Sequence, residues 1–169
     1  MAGFGHIAVG MVAGKLWTGG EGLKATALAM AGFAALSMWP DLDAVGFEMG
    51  VPYGAPFGHR GATHSFLAAV AVAGLVAAFG KRRWRLFVFC LAVAASHPLL
   101  DTLTDGGLGI ALFWPFTDRR YFLPDALRVI PVAPIGARML SLRGLYVTLV
   151  ELAEFSPLWI WSLIPRIGG

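Results

Sequence analysis

Four histidines and three of the aspartates are confined to four short segments of this 169-residue chain. These are GFGHIAVG around His6, PDLD at 40–43, HRGATHS at 59–65 and HPLLD at 97–101. Neutral imidazole and carboxylate are the donors that zinc and related divalent cations take from proteins. In HPLLD, His97 and Asp101 stand at i and i+4, so a helix puts both on one face. Pro98 then reads as the first residue of a new helical half capped by His97. The same spacing also describes a plain packing pair. In PDLD, Asp41 and Asp43 are two apart and point the same way if the segment after Pro40 is extended. Two carboxylates held together need a cation or a shared proton, although an N-cap turn is the blander reading. In HRGATHS, His59 and His64 are five apart and would diverge on one helix. The spacing therefore puts His59 in a loop and His64 in the first helical turn, with Thr63 or Ser65 as cap. Arg60 sets a positive charge beside these candidates, where it could hold a substrate phosphate. His6 alone reads as a packed histidine and gains weight only from where the topology places it.

The rest of the chain is built to leave water. Apolar residues make up 57% and charged residues 14% of it, too little charge to cover a soluble surface. The net charge of +3 has no clustered face, which excludes a nucleic-acid binder. Cys90, alone in an apolar run, reads as a small buried hydrophobe, and no disulfide framework is expected. The N-terminus lacks the pattern of a removable signal peptide. Five helical segments can be drawn, at about 4–17, 23–39, 63–80, 84–103 and 140–164, the fourth interrupted at Pro98 and the last broken near Pro157. Residues 106–139, which mix aromatic, proline and arginine, read either as a membrane-interface segment or as a self-packed loop.

The expectation is therefore an all-α, membrane-embedded bundle of about four to five helices, forming a single domain over 1–169. In an up-down-up-down order, His6, Asp41, Asp43, His59, His64, His97 and Asp101 all fall at one end. KRRWR at 81–85, Lys15 and Lys24 fall at the other. The positive-inside rule would put that basic end in the cytoplasm and the polar end outside. Ionisable residues gathered in a membrane protein mark a functional site by default.

The string of His6, PDLD, HRGATHS and SHPLLDTLTDGGLGIALFWPF resembles the YdjM-type family, described as inner-membrane-associated, LexA-binding, metal-dependent hydrolases. The resemblance runs from residue 3 to about 135. It implies a multi-pass protein of the cell inner membrane. It also implies a metal centre formed by His6, Asp41, His59, His64, His97 and Asp101. The order of these residues is also distantly similar to that in zinc-dependent phospholipase C, an analogy only.

The function expected on these grounds is hydrolysis of a phosphoester or lipid-like substrate by water activated on a divalent metal, zinc first. His64, His97, Asp41 and Asp101 would bind metal, and His6 and His59 would complete a second position. Asp43 would bridge or act as general base, and Arg60 would hold an anionic group. Asp105 would be an outer partner or a helix-end group. The partners expected are membrane lipid and a small or lipid-linked substrate, with no nucleic acid and no segment suited to a large protein partner. The rivals are a non-catalytic membrane protein with a structural metal, and a regulatory protein that binds a partner through the KRRWR loop.

Overall fold

The computed structural model describes residues 1–19 and 21–164, so residue 20 and the last five residues of the expected 1–169 domain lie outside the described residues. Among the described residues the chain is all-α as expected, with two isolated bridges in place of any sheet. Helix α1 runs Phe4–Thr18 and α2 runs Leu23–Met38. The two lie against each other along their length, and α1 also touches α5, α6 and α7, defined below.

The reason for the close α1–α2 approach is the pair Gly10 and Gly14. A Cβ at Gly10 would lie 2.5 Å from Ala34 Cα, and one at Gly14 would lie 2.4 Å from Met30 Cα. Only glycine lets two helix backbones come this near.

Helix α2 does not stop cleanly at Pro40. It passes into a 3₁₀ turn over Trp39–Ala44, with Pro40 in its first turn, and then into the short α3, Val45–Glu48. Proline costs a helix start nothing, since the amide it lacks would have no partner there. This differs from the extended segment expected for PDLD, and it changes where the two aspartates point.

After a loop, Ala62–His64 form one 3₁₀ turn and Ser65 caps α4, Phe66–Ala78, by accepting from the Ala68 amide at 3.1 Å. The expected helical turn at His64 is therefore 3₁₀, and α4 starts just after it. Helix α5, Arg83–Asp101, is continuous through Pro98, which stands in its last turn and does not interrupt it. The i, i+4 relation of His97 to Asp101 survives for that reason. Helices α6, Leu142–Glu154, and α7, Ser156–Leu163, break at Phe155, next to Pro157.

The apolar core sits in the half of the bundle away from the histidines. Phe33, Ala73, Cys90 and Val93 are its buried centre, with Trp17 and Phe89 packed around them. Cys90 is a buried free thiol, as expected. Arg85 closes that half by donating to the Trp17 carbonyl at 2.7 Å and lying over the indole.

The outer faces stay apolar. Leu28 on α2, Leu75 on α4 and Val88 on α5 are all exposed. Helix α5 is long and apolar enough to cross a membrane, and α4 is apolar but shorter, with 13 residues. At 1.5 Å per residue α5 is about 28 Å long, close to the ~30 Å of a bilayer's hydrocarbon.

Residues 102–135 are a packed loop. Ile110, Ile130 and Thr104 are buried in it, and the Phe66 and Ala111 amides bond to the Leu112 and Arg60 carbonyls across it. Many of its backbone groups are paired, among them the Asp105, Ile110, Tyr121, Leu123 and Ile130 amides. It covers the histidine end of the bundle.

Candidate metal centre

His64 and His97 face each other at the buried end of the bundle, Nε2 to Nε2, at 3.2 Å. Two imidazole nitrogens cannot both be lone pairs at that distance without something positive between them. The far side of each ring decides which nitrogen carries its hydrogen. His97 donates from Nδ1 to the Ser37 carbonyl at 2.6 Å. His64 has Nδ1 3.1 Å from Asp43 Oδ2. Both contacts favour the tautomer whose Nε2 is unprotonated and free to coordinate.

Two carboxylate oxygens complete the group. Asp41 Oδ1 is 3.5 Å from His64 Nε2 and 3.4 Å from His97 Nε2. Asp101 Oδ2 is 3.5 Å and 3.7 Å from the same two nitrogens. All four are potential ligand atoms, and the Arg60 Nε donor lies 3.6 Å from Asp101 Oδ2 at the edge of the group. Four ligands at zinc distances of 2.0–2.1 Å from a tetrahedral centre would lie about 3.3 Å apart, close to the 3.2–3.7 Å of the five contacts above. The residues therefore fit a divalent cation.

The 3₁₀ geometry explains how Asp41 and Asp43 serve different sides of one histidine. Residues two apart on a three-residue turn diverge. Asp41 reaches the Nε2 side of His64, and Asp43 reaches Nδ1. Asp43 is crowded by donors: Thr63 Oγ1 at 2.6 Å, the Arg60 amide at 3.1 Å and His59 Nδ1 at 2.7 Å. Burial alone would raise the Asp43 pKa, but the contacts from His59, His64 and Thr63 outweigh it and hold it at about 2. For Asp41, burial is likewise outweighed by His64 and His97, which keep its carboxyl well below the usual range. Burial pushes the His64 pKa down, but Asp101, Asp41 and Asp43 carry it up to about 10. The carboxylates thus favour a positive charge at the His64 ring, either a proton or a cation on Nε2.

Asp43, His59 and His64 form a second group at ligand spacing, which could hold a cation only if the rings gave up the protons they direct at Asp43. His59 is partly open to solvent, with 13% of its side chain exposed. The rings of Phe47 and Tyr53 stand against it.

His6 joins from α1. It is fully buried, stacks on His97 with ring centroids 3.7 Å apart, and puts Nε2 3.4 Å from Asp101 Oδ1. Neither of its ring nitrogens makes a hydrogen bond. The α-amino group of Met1 lies 2.9 Å from the same oxygen.

Arg60 is in the site but is not an open anion anchor. It is 1% exposed and sits at φ 62°. It donates to Thr104 Oγ1 and the Gly106 carbonyl, both at 3.0 Å, and its Nε lies 3.6 Å from Asp101 Oδ2. Its guanidinium is a counter-charge to Asp101 and a tie to the covering loop. Asp105 stays outside the site, accepting from the Val132 amide at 2.6 Å.

Sequence reasoning did not single out Arg120. Its guanidinium donates to the carbonyls of His59, Arg60 and Gly109 at 3.2–3.3 Å, and to those of Ala55 and Tyr53 at 3.3 and 3.5 Å. It gathers the histidine-bearing loop onto the covering loop. Gly61 makes the same loop tight, since a Cβ there would meet the Pro56 carbonyl oxygen at 2.3 Å.

Comparison with known proteins agrees with the resemblance of the motifs. A model of the family described as YdjM inner membrane protein matches residues 1–164. Inner membrane protein YbcI of Escherichia coli (strain K12) is 41% identical over 133 residues, which cover 75% of this chain and 72% of that protein. No solved structure matches the chain. A match over nearly the whole chain, together with a relative this similar, places the protein in the YdjM family of inner membrane proteins.

Proposed function

We propose that this chain is a multi-pass inner membrane hydrolase that cleaves a phosphoester or lipid-like substrate with a divalent cation, zinc first. The observation that carries the reading is the convergence of four potential ligand atoms, from Asp41, His64, His97 and Asp101, at ligand spacing. When bound there, a cation supplies a Lewis acid and a water acidified towards pH ~7.

The chain's own groups do the rest. Asp43 and the Ser37 carbonyl orient the two imidazoles. His6 and Asp101 Oδ1 extend the donor set on the α1 side. His59 donates from Nδ1 to Asp43 and keeps Nε2 to take a proton from water or return one to a leaving group. Asp43 was expected to bridge metals or to act as the base itself. With both oxygens already taken by donors, it acts through His59 instead. Arg60 holds Asp101 in place.

Two observations favour catalysis over a purely structural metal. Structural zinc sites are closed by protein ligands, whereas here Asp41 is 24% exposed and His59 is also reached by solvent. The exposed apolar faces of α2, α4 and α5 support membrane lipid as the surrounding partner, and with it a substrate that arrives from the bilayer. The basic residues at the far end favour a site on the outer face.

The test is turnover in detergent–phospholipid micelles with a chromogenic phosphodiester and a fluorogenic phospholipid as probes. Zinc-loaded protein is expected to release product at least 100-fold faster than His59→Ala, the usual worth of a general acid–base. Protein that holds one cation firmly yet cleaves neither probe would overturn the hydrolase reading in favour of a structural metal.

A further inference from the structure

One buried carboxylate at this end of the bundle touches neither cluster of ligand atoms. Glu151, on α6, is fully buried. Its Oε1 accepts from the Ala2 amide, and its Oε2 accepts from the Gly5 amide at 3.3 Å. The amides at the start of a helix have no partner within it. Gly3, at the N-cap of α1, has no side chain to receive them, and no side-chain cap is formed there. Glu151 therefore does from another helix what an N-cap serine or aspartate does locally. Its charge also meets the positive end of the α1 dipole.

The next residue after Gly5 is His6. That ring is stacked on His97 and aimed at Asp101, but no hydrogen bond to either ring nitrogen fixes it. Its position is set by the backbone of the first turn of α1, and that backbone is held by Glu151. Helix α6 gives the centre no ligand, yet its one buried carboxylate ends at the turn that carries His6.

We propose that Glu151 is a positioning residue for the metal centre, acting through the first turn of α1 to set where His6 stands against His97 and Asp101. The inference rests on the metal reading above, and it makes the α6–α7 pair part of the site's scaffold.

The test uses the full chain in detergent, titrated with cobalt(II), whose visible bands report ligand geometry. Glu151→Gln keeps the shape but retains one acceptor oxygen and turns an NH₂ towards an amide that needs an acceptor. It is expected to bind cobalt about tenfold more weakly, at the low end of what outer partners of a metal ligand are worth, with shifted bands. Glu151→Asp keeps the buried charge but withdraws it by one methylene. It should move affinity and bands in the same direction, and it decides the matter if the glutamine variant does not fold. Glu154→Gln, exposed on the same helix, should match wild type. Cobalt spectra and affinities unchanged in folded Gln and Asp variants would overturn the role of Glu151 alone. A wild type that takes up no cobalt would overturn the metal reading and this inference together.

Discussion

Gly14→Val is expected to lower the thermal midpoint of the detergent-solubilised protein by about 10 °C, the equivalent of ~3 kcal/mol for a chain of this size. The first added carbon would stand 2.4 Å from both the Met30 amide nitrogen and Met30 Cα. Those are backbone atoms of α2, so no rotamer change relieves the overlap and the two helices must part. Gly10 is locked against Ala34 and Phe33 in the same way. The damage reaches the site, because α1 carries His6 and α2 runs into the turn with Asp41. Gly32→Ala is the matched comparison. Nothing lies within 4 Å of a Cβ there, so replacing a helical glycine should stabilise by up to about 1 kcal/mol. Equal midpoints for Gly14→Val and wild type would refute the close-packed seam.

Asp101→Asn is expected to weaken divalent-cation binding at least 100-fold, read by competition with a chelating dye. That loss corresponds to about 2.7 kcal/mol. Asp101 is the most connected acid of the site. Oδ2 faces His64, His97 and Arg60, and Oδ1 faces His6 and the Met1 amine. The amide removes the charge from all five contacts and sets an NH₂ where one of them needs an acceptor. Stability should fall as well, by about 3 kcal/mol, because the buried Arg60 guanidinium loses its counter-charge. Cation affinity within threefold of wild type would remove Asp101 from the centre.

Much of this was legible in the residues. The apolar runs fixed the places of α1, α2, α4 and α5, and their alternating direction brought the polar segments to one end. The i, i+4 spacing of His97 and Asp101 held even with Pro98 between them, since a proline in the last turn ends a helix without breaking the face. The Gly10 and Gly14 spacing is also a signal of close helix contact that the sequence carries.

What was not legible depends on backbone geometry or on distant contacts. PDLD reads equally as extended or as a 3₁₀ turn, because α2 and the loop after it decide which, and only the turn separates Asp41 from Asp43. Nothing local distinguishes Arg119, which is exposed, from Arg120, which ties five carbonyls together. Glu151 lies far along the chain from the amides it caps, and its role depends on a glycine at the N-cap of α1.

Asp41, His64, His97 and Asp101 are proposed to form one cation centre. The most direct test is elemental analysis of protein purified in detergent without chelator, beside His64→Ala and His97→Ala variants confirmed to be folded. Close to one divalent ion per chain is expected in the wild type, or a small whole number if the second group is filled, with loss of the ion in both variants. Metal-free wild type, with both variants as stable as it, would contradict the centre.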